Sequence, residues 1–155
     1  RREDLRIDGV PVGRELALTD SPEAGLGNSI MMIVATDLQM TSRQLWKVAK
    51  RAALGLARTG SYGGNGSGDF TIAFTTGNKT LDGLLEEAPE LDRPNLGDGF
   101  LNPVYKATVE ATEEAIINAL LKAETMRGVN DHVREELPYP ELEGILKKYG
   151  SIMEG

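Results

Sequence analysis

Ser29 closes the glycine-bearing segment Gly25-Leu26-Gly27-Asn28 and opens the apolar run Ile30-Met31-Met32-Ile33-Val34-Ala35. A serine at a loop–strand junction usually does no more than satisfy nearby backbone groups. Here the glycines leave the backbone pliable enough to hold a scissile peptide bond, and a hydroxyl follows Asn28 directly. Transfer of the Asn28 acyl group from nitrogen to that oxygen would release Ser29 as a new N-terminus. Nucleophile and base would then sit on one residue. A serine hydroxyl needs a base to attack a carbonyl, and an α-amine with an ordinary pKa of about 7.7–8.0 is partly unprotonated near neutrality.

A second group lies in Gly60-Ser61-Tyr62-Gly63-Gly64-Asn65-Gly66-Ser67-Gly68-Asp69, five glycines in ten residues. Clustered glycines before a helix can cradle phosphate on the helix N-terminal amides. The order here is helix, glycine loop, strand, with no G-x-G-x-x-G and no following Lys-Ser/Thr, so a nucleotide site is disfavoured. Two readings remain: a mobile surface loop, or a close backbone approach that aims Ser67 and Asp69 into a site at the head of the next strand. His132, in Asn130-Asp131-His132-Val133, reads first as a locally bonded histidine of a polar connector. Asp131 could orient it in a triad with some serine. Glu86-Glu87 and Glu113-Glu114 read as solvated helix faces, and Met31, Met32 and Trp46 as packing groups.

Composition narrows the classes further. At 155 residues, 40% hydrophobic and 26% charged, the chain makes one domain or a large piece of one. A formal net charge of −7 argues against a nucleic-acid surface, which needs clustered Lys and Arg. With no cysteine and a single histidine, disulfides, thiol catalysis, thiolate metal sites and multi-imidazole zinc sites are excluded. No metal or organic cofactor is called for. No run approaches the roughly 18 apolar residues of a membrane helix. The start, Arg1-Arg2-Glu3-Asp4, carries no signal-peptide pattern and no methionine, and the compartment stays unassigned between cytoplasm and periplasm.

The elements that must hold these groups follow from periodicity. Leu5 to Asp8 alternates like a short strand, and Val10-Pro11-Val12-Gly13 reads as a turn. Thr19 to Asn28 is a loop. Residues 30–35 suit a strand buried on both faces. Thr41 or Ser42 caps a helix whose face is Leu45, Val48, Ala49, Ala52, Ala53 and Leu56, ending at Gly60. Phe70 to Thr75 is a second strand. A short helix is expected around Leu81 to Glu87, then irregular chain from Pro89 to Gly99. Pro103 opens a long helix burying Val104, Ala107, Ala111, Ala115, Ala119 and Leu120, with Gly128 at its end. Met126 to Pro140 reads as a connector, and Glu141 to Lys148 as a last helix. Two strands cannot close a sheet alone, so further strands must come from elsewhere in the protein or from a partner.

Three blocks in register now resemble one family: Gly27-Asn28-Ser29-Ile30-Met31-Met32-Ile33-Val34-Ala35-Thr36-Asp37, Arg51-Ala52-Ala53-Leu54-Gly55-Leu56-Ala57-Arg58-Thr59-Gly60, and Asn65-Gly66-Ser67-Gly68-Asp69. Arg1 to Leu5 through Val10-Pro11-Val12-Gly13 extends the likeness upstream. The family is that of the L-aminopeptidase/D-esterase-amidases and β-peptidyl aminopeptidases, self-processing hydrolases with an N-terminal serine nucleophile. The resemblance implies an α+β fold, part of a four-layer αββα sandwich laid out like other N-terminal-nucleophile hydrolases but differently connected. It implies cleavage between Asn28 and Ser29, so that residues 1–28 end an upstream α portion and residues 29–155 form the β portion.

On the same resemblance the catalytic set is Ser29, Ser67 and Asp69: Ser29 attacks with its own amine as base, Ser67 positions that amine, and Asp69 supports the network. A small peptide or amino-acid amide is the implied substrate, the upstream α chain the implied partner, and a homo-oligomer of αβ units the implied assembly. No nucleic acid or membrane partner is implied. The family's chains are longer, and their oxyanion-hole and substrate-amine residues lie mainly outside this segment. The alternatives are an acyltransferase of the ornithine-acetyltransferase type, which uses threonine where Ser29 stands, and a non-catalytic α/β interaction subunit.

Overall fold

The computed structural model describes residues 1–17, 29–77 and 98–153. The expected processing loop with Asn28, and the expected helix around Leu81 to Glu87, lie outside the described residues.

Two parallel strands, β1 (Met31–Thr36) and β2 (Phe70–Thr75), pair in the register Met31↔Phe70 through Thr36↔Thr75. Parallel neighbours need a crossover of a dozen or more residues, and helix α2 (Ser42–Arg58) supplies it. Its start is set by a capping box. The Thr41 hydroxyl accepts from Gln44 N–H at 3.3 Å, and Gln44 Oε1 accepts from Thr41 N–H at 2.9 Å. It stops at Thr59, and Gly60 follows in the left-handed region at φ 101°.

Helix α3 (Leu101–Lys122) packs along α2. The two backbones meet closely at Gly55, where a Cβ would stand 2.5 Å from the Val109 carbonyl oxygen and 2.7 Å from Thr112 Cβ. Arg58 and Glu113 bridge the pair at 2.9 Å. Met40, Val48 and Leu101 form the core beneath, with Val34, Leu45 and Val104 packed against it. A fully buried leucine such as Leu101 adds about 1.5–3 kcal/mol.

The buried face of α3 differs from the expected one. Leu101, Thr108 and Thr112 are its buried residues, and the Thr108 and Thr112 hydroxyls donate to carbonyls one turn back at 2.8 and 2.7 Å. Packing against Gly55 selects the threonine row, because only that row meets a helix with no side chain in the way. Ala107, Ala111, Ala115 and Ala119 are exposed, and the last three line a hollow of about 520 Å³ against β1. The helix also ends at Lys122, before Gly128. Within the expected connector a small antiparallel ribbon forms, β3 (Met126–Arg127) with β4 (Val133–Arg134).

Strand β1 is a strand as expected, yet among the described residues only one of its faces is covered. Met32 is buried, while Met31 and Ile33 are 59% and 67% exposed, and Phe70, Ile72 and Phe74 of β2 continue that open apolar face. A helix layer on one sheet face and an open apolar face on the other make one half of the expected four-layer sandwich.

The N-terminal segment is anchored on the far side. Ile7 and Val10 face each other across a tight turn through Asp8 and Gly9, both at positive φ, so Leu5 to Asp8 forms a bridge where a strand was expected. Val10 to Gly13 enters a short helix, α1 (Val12–Glu15), in place of the expected turn: Pro11 supplies a fixed φ at its entry. Ile7, Val10 and Val12 bury against Leu142 of α4 (Tyr139–Lys148). Glu15 accepts from Lys148 Nζ at 2.8 Å and from the Tyr149 hydroxyl at 2.7 Å.

Candidate active site

Parallel pairing decides what stands beside Ser29. Continuing the β1–β2 register backward brings residues 29 and 30 against 68 and 69, and Phe70 N–H donates to the Ile30 carbonyl at 3.0 Å. Ser29 shares the alternation of Met31 and Ile33 on the open sheet face and is itself exposed. Its Oγ accepts a hydrogen bond from the Gly68 N–H at 2.8 Å.

Asp69 ties the corner together. Its Oδ1 accepts from the Ser67 hydroxyl at 2.6 Å and from the Ile30 N–H at 3.1 Å. One carboxylate oxygen therefore holds the residue after Ser29 and the side chain of Ser67 at once. Hydrogen bonds to a charged acceptor are shorter and stronger than neutral ones, which suits a junction that must stay put. Ser67 N–H bonds the Gly64 carbonyl at 2.8 Å, so the end of the glycine segment folds back on itself before β2 begins. The end of that segment sets Ser67 and Asp69 at the head of β2 beside Ser29, although a Cβ at Gly63, Gly66 or Gly68 would meet no backbone atom within 4 Å.

The structure thus brings Ser29, Ser67 and Asp69 to one corner. It adds two backbone donors, Gly68 and Ile30, that residue order alone does not single out. The available signal was a glycine between two polar residues at the mouth of a strand. His132 lies elsewhere, in the turn of the β3–β4 ribbon, where its N–H donates to the Val129 carbonyl and its own carbonyl accepts from Gly128. Asp131 engages Arg127 at 3.0 Å. Among the described residues, the hollow that His132 lines with Arg2, Arg134 and Glu135 has no serine. Among the described residues no group of three or more His, Asp or Glu could hold a metal ion.

Chemically, the corner offers a hydroxyl oxygen held by a backbone donor at a strand mouth. The Asp69 carboxylate, held on the N–H of the next residue, Ile30, would favour a positive charge on the Ser29 nitrogen. Ser29 is exposed on the sheet face that carries Met31 and Ile33.

The sequence and the fold are both similar to those of known proteins. Residues 1–134 match Peptidase family S58. The chain is 40% identical over 159 aligned residues to the β-peptidyl aminopeptidase BapA of Sphingosinicella microcystinivorans, covering 94% of this chain and 40% of that protein. The structure superposes on the PH0078 protein of Pyrococcus horikoshii with a TM-score of 0.82 and 51% identity, covering 97% of this chain and 40% of the other. It superposes on the L-aminopeptidase D-Ala-esterase/amidase of Ochrobactrum anthropi with a TM-score of 0.84 and 37% identity, covering 99% and 42%. That enzyme is described as a prototype of the serine aminopeptidases and a new variant of the Ntn hydrolase fold. The chain therefore spans about two fifths of the length of these relatives.

Proposed function

Because this chain belongs to peptidase family S58, we propose that it is the nucleophile-bearing portion of an aminopeptidase/amidase that exposes Ser29 by cleaving its own Asn28–Ser29 bond. Residues 1–28 end the upstream portion and residues 29–155 form the downstream one. The observation that carries this reading is the corner at the head of β1, where the Ser29 oxygen meets Gly68 N–H and Asp69 links Ile30 to Ser67.

In processing, the Ser29 oxygen attacks the Asn28 carbonyl and the acyl group moves from nitrogen to oxygen. The breaking C–N bond leaves Ser29 with a free α-amine, and water then hydrolyses the resulting ester, releasing the Asn28 carboxylate and restoring the Ser29 hydroxyl. In turnover that amine takes the hydroxyl proton as Oγ attacks the amide carbonyl next to a substrate's free amino terminus. The protonated amine then delivers the proton to the leaving nitrogen. Water, activated by the same amine, releases the acyl group.

Ser67 positions the amine, and Asp69 holds Ser67 and supplies the compensating negative charge. The residues that bind the substrate's amino group and the developing oxyanion come from the remainder of the longer protein. The substrate class is a small peptide or amino-acid amide. The partner is the upstream portion of the same precursor, and αβ units assemble further into a homo-oligomer.

The serine at position 29 supports hydrolysis over the threonine-dependent acyl transfer of the ornithine-acetyltransferase type. The test is mass spectrometry of the full-length protein with a peptidase assay. A new N-terminus at Ser29 with amide hydrolysis is expected, and Ser29→Ala abolishes both. A Ser29→Ala protein that still cleaves itself, or an intact chain with full turnover, refutes the reading.

A further inference from the structure

Resting on the reading of Ser29 as nucleophile, we infer that Gly68 serves the reaction in two ways: its backbone N–H is a catalytic donor to the serine oxygen, and its missing side chain keeps the approach to that oxygen open. The N–H stands 2.8 Å from Ser29 Oγ. A hydroxyl oxygen has two lone pairs and one proton. With one lone pair engaged by Gly68, the other is free to attack while the proton turns toward the amine. As the proton leaves, charge gathers on Oγ and the bond from Gly68 becomes charge-assisted.

The same donor acts again when the acyl group departs. In the acyl-enzyme, Oγ is the ester oxygen. Water adds to the acyl carbon and gives one proton to the α-amine. The C–Oγ bond breaks with its electron pair going to Oγ, and the ammonium returns the proton there, freeing the acid. An oxyanion hole faces the carbonyl oxygen. Gly68 faces the atom that attacks and later leaves, so it favours expulsion of the serine oxygen both in turnover and in hydrolysis of the processing ester.

Backbone conformation does not demand glycine here, since Gly68 is absent from the positive-φ glycines Gly9, Gly60, Gly63 and Gly150. A Cβ at Gly68 would lie 3.4 Å from Ser29 Oγ and 3.8 Å from Phe70 Cε2, with nothing nearer. A methyl group therefore fits the resting protein. It would nonetheless stand beside the oxygen that an acyl carbon must approach to about 3–3.5 Å. The cost arises only when substrate arrives, and it grows with branching of the acyl group.

The test uses the full-length protein with glycolate in place of Gly68, which exchanges the N–H for an oxygen and leaves shape unchanged, and with Gly68→Ala beside it. In the glycolate protein we expect the branched precursor ester and the acyl-enzyme to accumulate at Ser29, held by acid quenching and located by mass spectrometry of Ser29-bearing fragments. Its kcat on an amino-acid anilide should fall about 10- to 100-fold with KM little changed. Gly68→Ala keeps the N–H and should accumulate no ester, but should lose more kcat/KM on a valyl than on a glycyl anilide. A glycolate protein that processes and turns over normally, with no trapped ester, overturns the donor role. An alanine protein that treats both anilides as the unaltered protein does overturns the clearance role. If the unaltered protein never exposes Ser29 as an N-terminus, both this inference and the reading beneath it fall.

Discussion

Glycine-to-alanine replacement should act with opposite sign at two helical positions, Gly55 in α2 and Gly144 in α4. In either helix the change removes glycine's excess backbone entropy and favours the helix by about 0.8–1.0 kcal/mol. What differs is the space. At Gly144 nothing stands within 4 Å of the new Cβ, so the gain is kept and stability rises by up to about 1 kcal/mol. At Gly55 the Cβ meets the Val109 carbonyl oxygen at 2.5 Å, Thr112 Cβ at 2.7 Å and Glu113 N at 3.2 Å. Two of these are backbone atoms of α3, which no side-chain rotation can move. The helices must separate by several tenths of an ångström, straining the buried Thr108–Thr112 row and the Arg58–Glu113 pair. Overpacking of this kind costs about 1–3 kcal/mol and more when backbone must shift. The net effect is a loss of up to about 2 kcal/mol, read as a lowered urea midpoint at unchanged m-value in the full-length protein. A Gly55→Ala protein as stable as the parent, or one stabilised as Gly144→Ala should be, would show that α2 and α3 do not meet as described.

Asp69→Ala leaves the Ile30 N–H and the Ser67 hydroxyl without their shared acceptor, and should lower kcat about 10- to 100-fold, whereas Asp69→Asn keeps an acceptor and should lower it less. Equal kinetics for the alanine variant and the parent would remove the carboxylate from the mechanism. Ser67→Ala should slow turnover while leaving the urea midpoint within error, since Ser67 sits at the corner's edge; unaltered kinetics would remove it from the site. The Glu15 carboxyl is held below its ordinary 4.5, first by Lys148 and then by Tyr149. A depressed carboxyl adds stability that is present above the ordinary value and is lost as pH falls through the folded one. The stability difference between parent and Glu15→Gln should therefore be full at pH 6 and vanish in acid; a difference that grows below pH 4 contradicts the pairing.

Local chemistry made much of this protein legible from residue order. A six-residue apolar run and a six-residue alternating one suit strands better than helices, and Thr41 caps the helix that the sequence places there. The grouping of Ser29, Ser67 and Asp69 came from the resemblance of the blocks that carry them, and the structure brings the three to one corner. Tertiary contact decided the rest. Which row of α3 is buried depended on Gly55 opposite it, so the threonines won over the alanines. The open face of β1 could not be read from an apolar run that looks the same whether one face or both are covered. Gly68 and Ile30 became visible only when parallel register carried two stretches 39 residues apart into hydrogen-bond reach, because a backbone N–H has no letter of its own in a sequence.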